Sequence, residues 1–172
     1  MRILYYPGCT LHEKARGFDL PARWSMEVLG VEFLELEGWT CCGAAFPLVE
    51  DNLISLVAPI HNLALAEGEG RVLTTTCAFC YHVLKRANRV VREDPEKRGT
   101  INNFLEEEYS GEVEVKHLLE VLRDYVGFPR IRERVTKKLE GLRVAPYYGC
   151  QLLRPFKELG LDDPERPRIL ED

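Results

Sequence analysis

Arg71-Val-Leu-Thr-Thr-Thr-Cys-Ala-Phe-Cys80 carries the clearest fold signal in the chain. Residues 71–76 form the most strand-like stretch in the chain, and Cys77-Ala-Phe-Cys80 stands where a helix reaching about Arg92 should begin. A strand passing straight into a helix is the repeating step of an α/β chain. The same step recurs on both sides of it.

Upstream, residues 2–6 read as a first strand, closed by Pro7-Gly8 and followed at once by Cys9. A helix follows in which Asp19 is expected to cap, Pro21 fits the first turn, and Leu20, Trp24 and Val28 line one face until Gly30. The next strand is Val31 to Leu36, which runs into Gly38-Trp39 and the turn Cys41-Cys42-Gly43. A longer helix is expected from Asp51 or Asn52, with Leu53, Leu56, Ile60, Leu63 and Ala64 as its buried stripe. Pro59 should kink or interrupt it, and Gly68 and Gly70 should end it.

Downstream, Glu93 to Lys97 reads as a polar turn, and Thr100 as the cap of a short helix through Glu107. Residues 112–117 suggest a brief strand leading to His117. Leu118, Leu122 and Tyr125 share a helical face that stops at Gly127; Ile131, Val135 and Leu139 share another that stops at Gly141. Leu142 to Tyr148 reads as a further strand, ending in Gly149-Cys150. The alternation predicts an α/β fold with a mainly parallel sheet flanked by helices. Cys9, Cys77 and Cys150 each fall just after a predicted strand, at the carboxyl edge where open α/β sheets bind ligands.

Composition narrows the function. The chain has 172 residues, 45% apolar and 30% charged, with a net charge of −5. That balance, without a sustained basic stripe, argues against nucleic acid as the main partner, and Lys85, Arg86, Arg89 and Arg92 read as a solvated helix face. The N-terminus lacks the apolar core of a secretory signal. The most apolar window, Leu53 to Ala66, is too short to span a bilayer. A cytoplasmic location is therefore expected, where six cysteines read as metal ligands or redox thiols rather than structural disulfides.

A partial repeat is visible. Tyr6-Pro-Gly-Cys-Thr-Leu11 overlies Tyr147-Tyr-Gly-Cys-Gln-Leu152 with Cys9 on Cys150. In the first unit 31 residues separate Cys9 from Cys41, so a second unit on that spacing would place its paired cysteines beyond Asp172. The expected organisation is a first unit over 1–141 and the start of a second over 142–172.

The cysteines admit several chemistries. Buried cysteine behaves as a small hydrophobe, but that explains neither Cys41-Cys42-Gly43 nor Cys77-x-x-Cys80. A Cys-x-x-Cys opening a helix after a strand suits a redox dithiol, yet leaves three further cysteines of the first unit over. Tetrahedral zinc could take four thiolates, although adjacent Cys41 and Cys42 do not readily reach two corners of one tetrahedron. A polynuclear iron–sulfur cluster spreads its irons, so neighbouring thiolates can bind different irons. Five thiols exceed the need of a four-iron cubane by one, which points to an atypical cluster.

The set Cys9…Cys41-Cys42-Gly43…Cys77-Ala-Phe-Cys80 resembles the cysteine-rich CCG domain of the heterodisulfide reductase B-subunit family, most nearly its bacterial members. Tyr5-Tyr-Pro-Gly-Cys-Thr10, Gly38-Trp-Thr-Cys-Cys-Gly43, Val115-Lys-His-Leu-Leu-Glu120 and Ala145-Pro-Tyr-Tyr-Gly-Cys-Gln-Leu-Leu-Arg-Pro155 carry the likeness across the chain. The resemblance implies a Rossmann-like domain that binds a non-cubane [4Fe-4S] cluster through Cys9, Cys41, Cys42, Cys77 and Cys80. Cys150 would be the first ligand of a second, incomplete site. It further implies disulfide or thiol redox chemistry on a small substrate. The implied partners are an iron–sulfur electron donor of the C-subunit type, and a flavin and iron–sulfur protein of the A-subunit type. Two alternatives stay open: an electron-transfer CCG subunit of a hydroxyacid oxidase or quinone-linked dehydrogenase, and a zinc-bound structural CCG domain.

His12 and His82 lie near the cysteines in sequence and are candidates to donate a proton to a departing thiolate. His117 could line the site or anchor its strand end. Trp39 reads as packing that shields the site, and Lys14 and Arg16 as loop cations able to attract an anionic substrate.

Overall fold

The structure is a computed structural model and describes residues 1–49 and 52–171. Its centre is a sheet of four parallel strands, β1 (Arg2–Tyr5), β2 (Glu32–Glu35), β3 (Val72–Thr75) and β4 (Glu114–His117), in the order β2-β1-β3-β4. The helices are α1 (Gly8–His12), α2 (Arg16–Val28), α3 (Phe46–Val49), α4 (Val57–Glu69), α5 (Ala78–Glu93), α6 (Pro95–Leu105), α7 (Leu118–Glu120), α8 (Phe128–Arg134), α9 (Cys150–Leu153) and α10 (Phe156–Leu159). The expected α/β fold is thus present, with strands and helices alternating through β4.

Successive side chains of a strand point to opposite faces, and β1 divides the core accordingly. Ile3 packs with Met26, Leu29, Val31 and Val121. Leu4 joins the larger cluster on the other face, with Leu73, Ile60, Leu63, Leu84 and Ile101. The chain leaves β1 to one side to make β2 and returns to its other side to make β3. The connections therefore diverge at the carboxyl ends of β1 and β3, which opens a crevice there.

Several local expectations are corrected. Helix α2 begins at Arg16, so Asp19 is no cap; its buried carboxylate accepts from the Tyr5 hydroxyl and from Arg23. That bond turns Asp19, Ala22 and Met26 inward and leaves Trp24 and Val28 each 61% exposed. Pro59 does not interrupt a helix but sits in the first turn of α4, where its missing N–H costs nothing. Asp51 as a helix start lies outside the described residues. The polar stretch before Thr100 is the start of α6: the Asp94 carboxylate accepts the Lys97 N–H at 3.0 Å ahead of Pro95.

The largest departure follows α8, which stops at Arg134 and leaves Val135 and Leu139 exposed. Residues 142–148 form no strand, and Tyr147 is 90% exposed. Pro146 removes a donor from the middle of that run, and the four-stranded sheet offers it no pairing. The first strand of a second unit is therefore not formed. Instead α9 and α10 fold back onto α5, and Leu152, Leu153, Leu159, Leu161 and Ile169 enter the larger core cluster.

Candidate metal centre

Three loops leave the carboxyl edge of the sheet, one after each of β1, β2 and β3, and each carries cysteine. The Sγ atoms of Cys9 and Cys41 lie 3.6 Å apart, and those of Cys42 and Cys80 3.5 Å apart. Cys77 stands beside Cys80 and shares a hydrogen bond with it. The two pairs differ in environment. Cys9 and Cys41 are exposed, whereas Cys42 and Cys80 are 2% and 5% exposed. One edge of the sulfur array faces solvent and the other faces the core.

Local backbone geometry makes this arrangement possible. Gly8 has φ +72°, and a Cβ there would lie 2.8 Å from the Cys80 sulfur. Only glycine leaves that space open while turning the chain from β1 into Cys9. Gly43 has φ +80° and Ala44 φ +47°, so the chain reverses sharply after Cys42. Adjacent Cys41 and Cys42 join different sulfur pairs. Cys77 is extended at the N-terminus of α5, which places Cys80 one turn later on the same side.

The loop after β2 is anchored through Thr40. Asn62 is fully buried; its Oδ1 accepts the Thr40 N–H at 2.8 Å and its Nδ2 donates to the Thr40 carbonyl at 2.9 Å. The Tyr6 hydroxyl donates to the same carbonyl at 2.8 Å. Tyr6 is fully buried and packs edge-on against Trp39 at 5.5 Å. Trp39 in turn donates from Nε1 to Glu35.

Backbone donors already point at the sulfurs. Cys41 receives the Gly43 N–H, Cys42 that of Ala44, and Cys77 those of Cys80 and Phe79. The neighbouring Cys80 thiol, outweighing the opposing effect of burial, brings Cys77 down to about 6 and Cys42 down to about 7. Cys80 is pushed up by those same two partners and by burial. Burial holds the Tyr6 phenol far above its ordinary range, and four neighbouring sulfurs add to that. The site thus has thiols ready to ionise beside a phenol that keeps its proton.

Among the described residues no three His, Cys, Asp or Glu side chains gather as closely as a single metal ion requires. The donors are instead two separated sulfur pairs and an adjoining fifth thiol, with a cradle at Gly8 that a Cβ would fill. That set fits a polynuclear sulfur-ligated group, whose irons sit apart and accept thiolates.

The remaining candidates fall elsewhere. Cys150 is exposed at the start of α9 and, among the described residues, shares no hydrogen bond with the other sulfurs. His12 is exposed and stacks edge-on against Trp39. His82 is buried, with Nδ1 2.8 Å from Gln151 Oε1 and Nε2 3.2 Å from Glu158 Oε2. Both its ring nitrogens serve the chain's fold-back. His117 caps α7, accepting the Leu119 N–H on Nδ1 while Nε2 meets the Thr76 carbonyl. Tyr6, Thr40, Gly8 and Asn62 were not singled out by sequence. Tyr6 and Gly8 sit within the Tyr-Pro-Gly-Cys motif, but nothing marks Asn62 as facing a loop 22 residues away.

Residues 3–85 match the cysteine-rich domain CCG, a span that holds all five clustered cysteines. The chain is 38% identical over 170 residues to the 8-methylmenaquinol:fumarate reductase membrane anchor subunit of Wolinella succinogenes. It is 31% identical over 175 residues to the B subunit of the ferredoxin/F420H2-dependent CoB-CoM heterodisulfide reductase of Methanosarcina acetivorans. These alignments cover 97% and 99% of the chain but 58% of either relative, so the chain spans little more than half their length. A hypothetical protein from Helicobacter pylori shares the fold, with TM-score 0.62 and 20% identity over 72% of this chain and 25% of that one. Among the described residues no helix is long and apolar enough to cross a membrane.

Proposed function

We propose that this chain is the cluster-bearing part of a heterodisulfide reductase-like oxidoreductase subunit, holding a non-cubane [4Fe-4S] cluster through Cys9, Cys41, Cys42, Cys77 and Cys80. The observation that carries this reading is the meeting of five thiols from three loops in one sheet-edge crevice, as the pairs Cys9–Cys41 (3.6 Å) and Cys42–Cys80 (3.5 Å) with Cys77 beside Cys80. When bound, an iron–sulfur cluster supplies one-electron chemistry and iron sites with affinity for sulfur.

The residues of the chain then have distinct tasks. Cys42, Cys77 and Cys80 hold the group on its buried side and exclude water from it. Cys9 and Cys41 hold the exposed side, so a small disulfide or thiol substrate approaches across them. Of the two nearby histidines, His12 presents its ring to solvent on this edge and is the candidate proton donor to a departing thiolate. Electrons arrive from an iron–sulfur protein of the C-subunit type, with a flavin and iron–sulfur protein of the A-subunit type behind it. Residues 1–141 form the first CCG unit, and Cys150 begins a second.

A second reading rests on the relative named as a methylmenaquinol:fumarate reductase subunit. In it the chain passes electrons in a quinone-linked complex without turning over a disulfide. The two separate in one assay. The full-length protein, purified anoxically with its partners, is given a reduced low-potential dye and a panel of small disulfides. Disulfide reduction that is lost with Cys42→Ser supports the first reading. Electron exchange with a quinone and no reaction with any disulfide supports the second.

A further inference from the structure

The two sulfur pairs are alike in spacing and opposite in access. Cys9 and Cys41 are both exposed, with Sγ atoms 3.6 Å apart, on the loops that follow β1 and β2. Cys42 and Cys80, 3.5 Å apart, are buried, and Cys77 is only partly open. Exchange between a thiol and a disulfide needs the attacking sulfur to reach the bond that it breaks, so access decides which pair reacts. The redox dithiol expected at Cys77-x-x-Cys80 has one sulfur enclosed, whereas Cys9 and Cys41 meet that need.

Geometry also assigns an order to the two sulfurs. The Cys41 thiol donates to the Cys9 sulfur. A donor on that side steadies negative charge on Cys9 and marks it as the attacking sulfur. Closing 3.6 Å to the about 2.05 Å of a disulfide asks for about 1.5 Å of movement, shared between two exposed side chains.

We infer that, before a cluster is in place, Cys9 and Cys41 form a dithiol that reduces small disulfides by exchange, with Cys9 attacking and Cys41 resolving. Cys9 Sγ attacks one sulfur of R–S–S–R, forming Cys9–S–S–R and releasing the first RS−. Cys41 Sγ then attacks Cys9 Sγ, closing the Cys9–Cys41 bond and releasing the second RS−. The pair loses two electrons, the small disulfide gains them, and the two thiol protons end on the two released thiolates. The bridge occupies two of the five clustered sulfurs, so it blocks metal uptake until an external thiol reduces it. It also holds both exposed sulfurs at the reversible level of the oxidation ladder. The exchange stands on the sulfur geometry alone; the block on uptake rests on the cluster reading above.

The test uses full-length protein purified anoxically, both cluster-loaded and after iron chelation, with bis(2-hydroxyethyl) disulfide as the probe. Peptide mass mapping of the iron-free protein should find a Cys9–Cys41 bridge, with two molecules of 2-mercaptoethanol released for each bridge formed. Cys41→Ser should stop halfway, with one thiol released and a mixed disulfide on Cys9. Cys9→Ser should react more slowly at Cys41 than Cys41→Ser does at Cys9, and the cluster-loaded protein should form neither product. The bridged protein should take up no iron at these sulfurs until dithiothreitol is added. A Cys42–Cys80 or Cys77–Cys80 bridge in place of Cys9–Cys41, or no bridge at all, overturns the inference, as does faster reaction at Cys41 than at Cys9. If the Cys9–Cys41 bridge forms but the reduced protein binds no iron when given iron and sulfide, the cluster reading fails and the exchange stands.

Discussion

Nδ1 of His82 lies 2.8 Å from Oε1 of Gln151, which joins the helix carrying Cys80 to the segment that follows Cys150. The same segment supplies Glu158, whose buried carboxylate takes His82 Nε2 at 3.2 Å and Arg89 at 3.4 Å. The Tyr81 hydroxyl and Lys85 both donate to the Leu159 carbonyl. One face of α5 thus lines the sulfur array while another is clasped by residues 150–159.

Removing the carboxylate should loosen that clasp. Glu158→Leu strands partly buried Arg86, Arg89 and His82 without their shared acceptor. A loss of about 2 kcal/mol is expected, the scale of hydrogen bonds to charged groups. Urea unfolding measures it, and limited proteolysis should cut first between Arg134 and Cys150. Glu158→Leu with unchanged stability and cleavage would mean the segment is held by Leu152, Leu153 and Leu159 alone.

Gly8→Ala should act on stability and on the site together. The added Cβ meets Cys80 Sγ at 2.8 Å, and the residue must keep φ +72°. Left-handed backbone in a non-glycine residue costs about 1–3 kcal/mol. Lower thermal stability and reduced iron incorporation are expected together. Gly17→Ala, where nothing lies within 4 Å, is the control.

His117 predicts a pH dependence with a definite sign. Burial lowers its pKa from 6.5 to about 4, opposed by its contact with the Thr76 carbonyl. Nδ1 accepts the Leu119 N–H, so a proton added there would face another donor. The unfolded chain therefore binds this proton more readily than the folded one. The stabilisation is fully present above about 6.5, declines as pH falls through that value, and levels off near 4, a total of about 3 kcal/mol. In His117→Gln, urea titrations across this window should give a visibly flatter profile. An equal slope in the variant would place the pH dependence on other groups.

The six cysteines should divide five to one. Serine at Cys9, Cys41, Cys42, Cys77 or Cys80 should lower bound iron, most severely at buried Cys42 and Cys80. Cys150→Ser should leave iron content unchanged, because Cys150 is exposed at the start of α9 and is not among the hydrogen-bonded sulfurs. Equal iron loss with Cys150→Ser would bring that residue into the site.

Much of the architecture was legible in the sequence because apolar runs and punctuating residues agreed with one another. Strands β1 to β4 all fall within the expected runs, and Gly70 and Gly127 end helical segments as expected. The placement of the sulfurs at the sheet edge followed from cysteines standing just after strands. What failed were features decided by distant partners. The outward turn of Trp24 and Val28 depends on Asp19 being drawn to Tyr5, a contact that helical periodicity does not contain. The run 142–148 has a strand's composition but lacks a strand to pair with. Asn62 reads as an ordinary helix residue, and only the fold brings it to Thr40.

Counting metal and acid-labile sulfide in strictly anoxic protein, with a Mössbauer spectrum of the same sample, decides whether the five thiols hold an iron–sulfur cluster. About four irons per complete site are expected, with a spectrum unlike that of a cubane. One tightly held zinc per chain and no iron, under the same conditions, would contradict it.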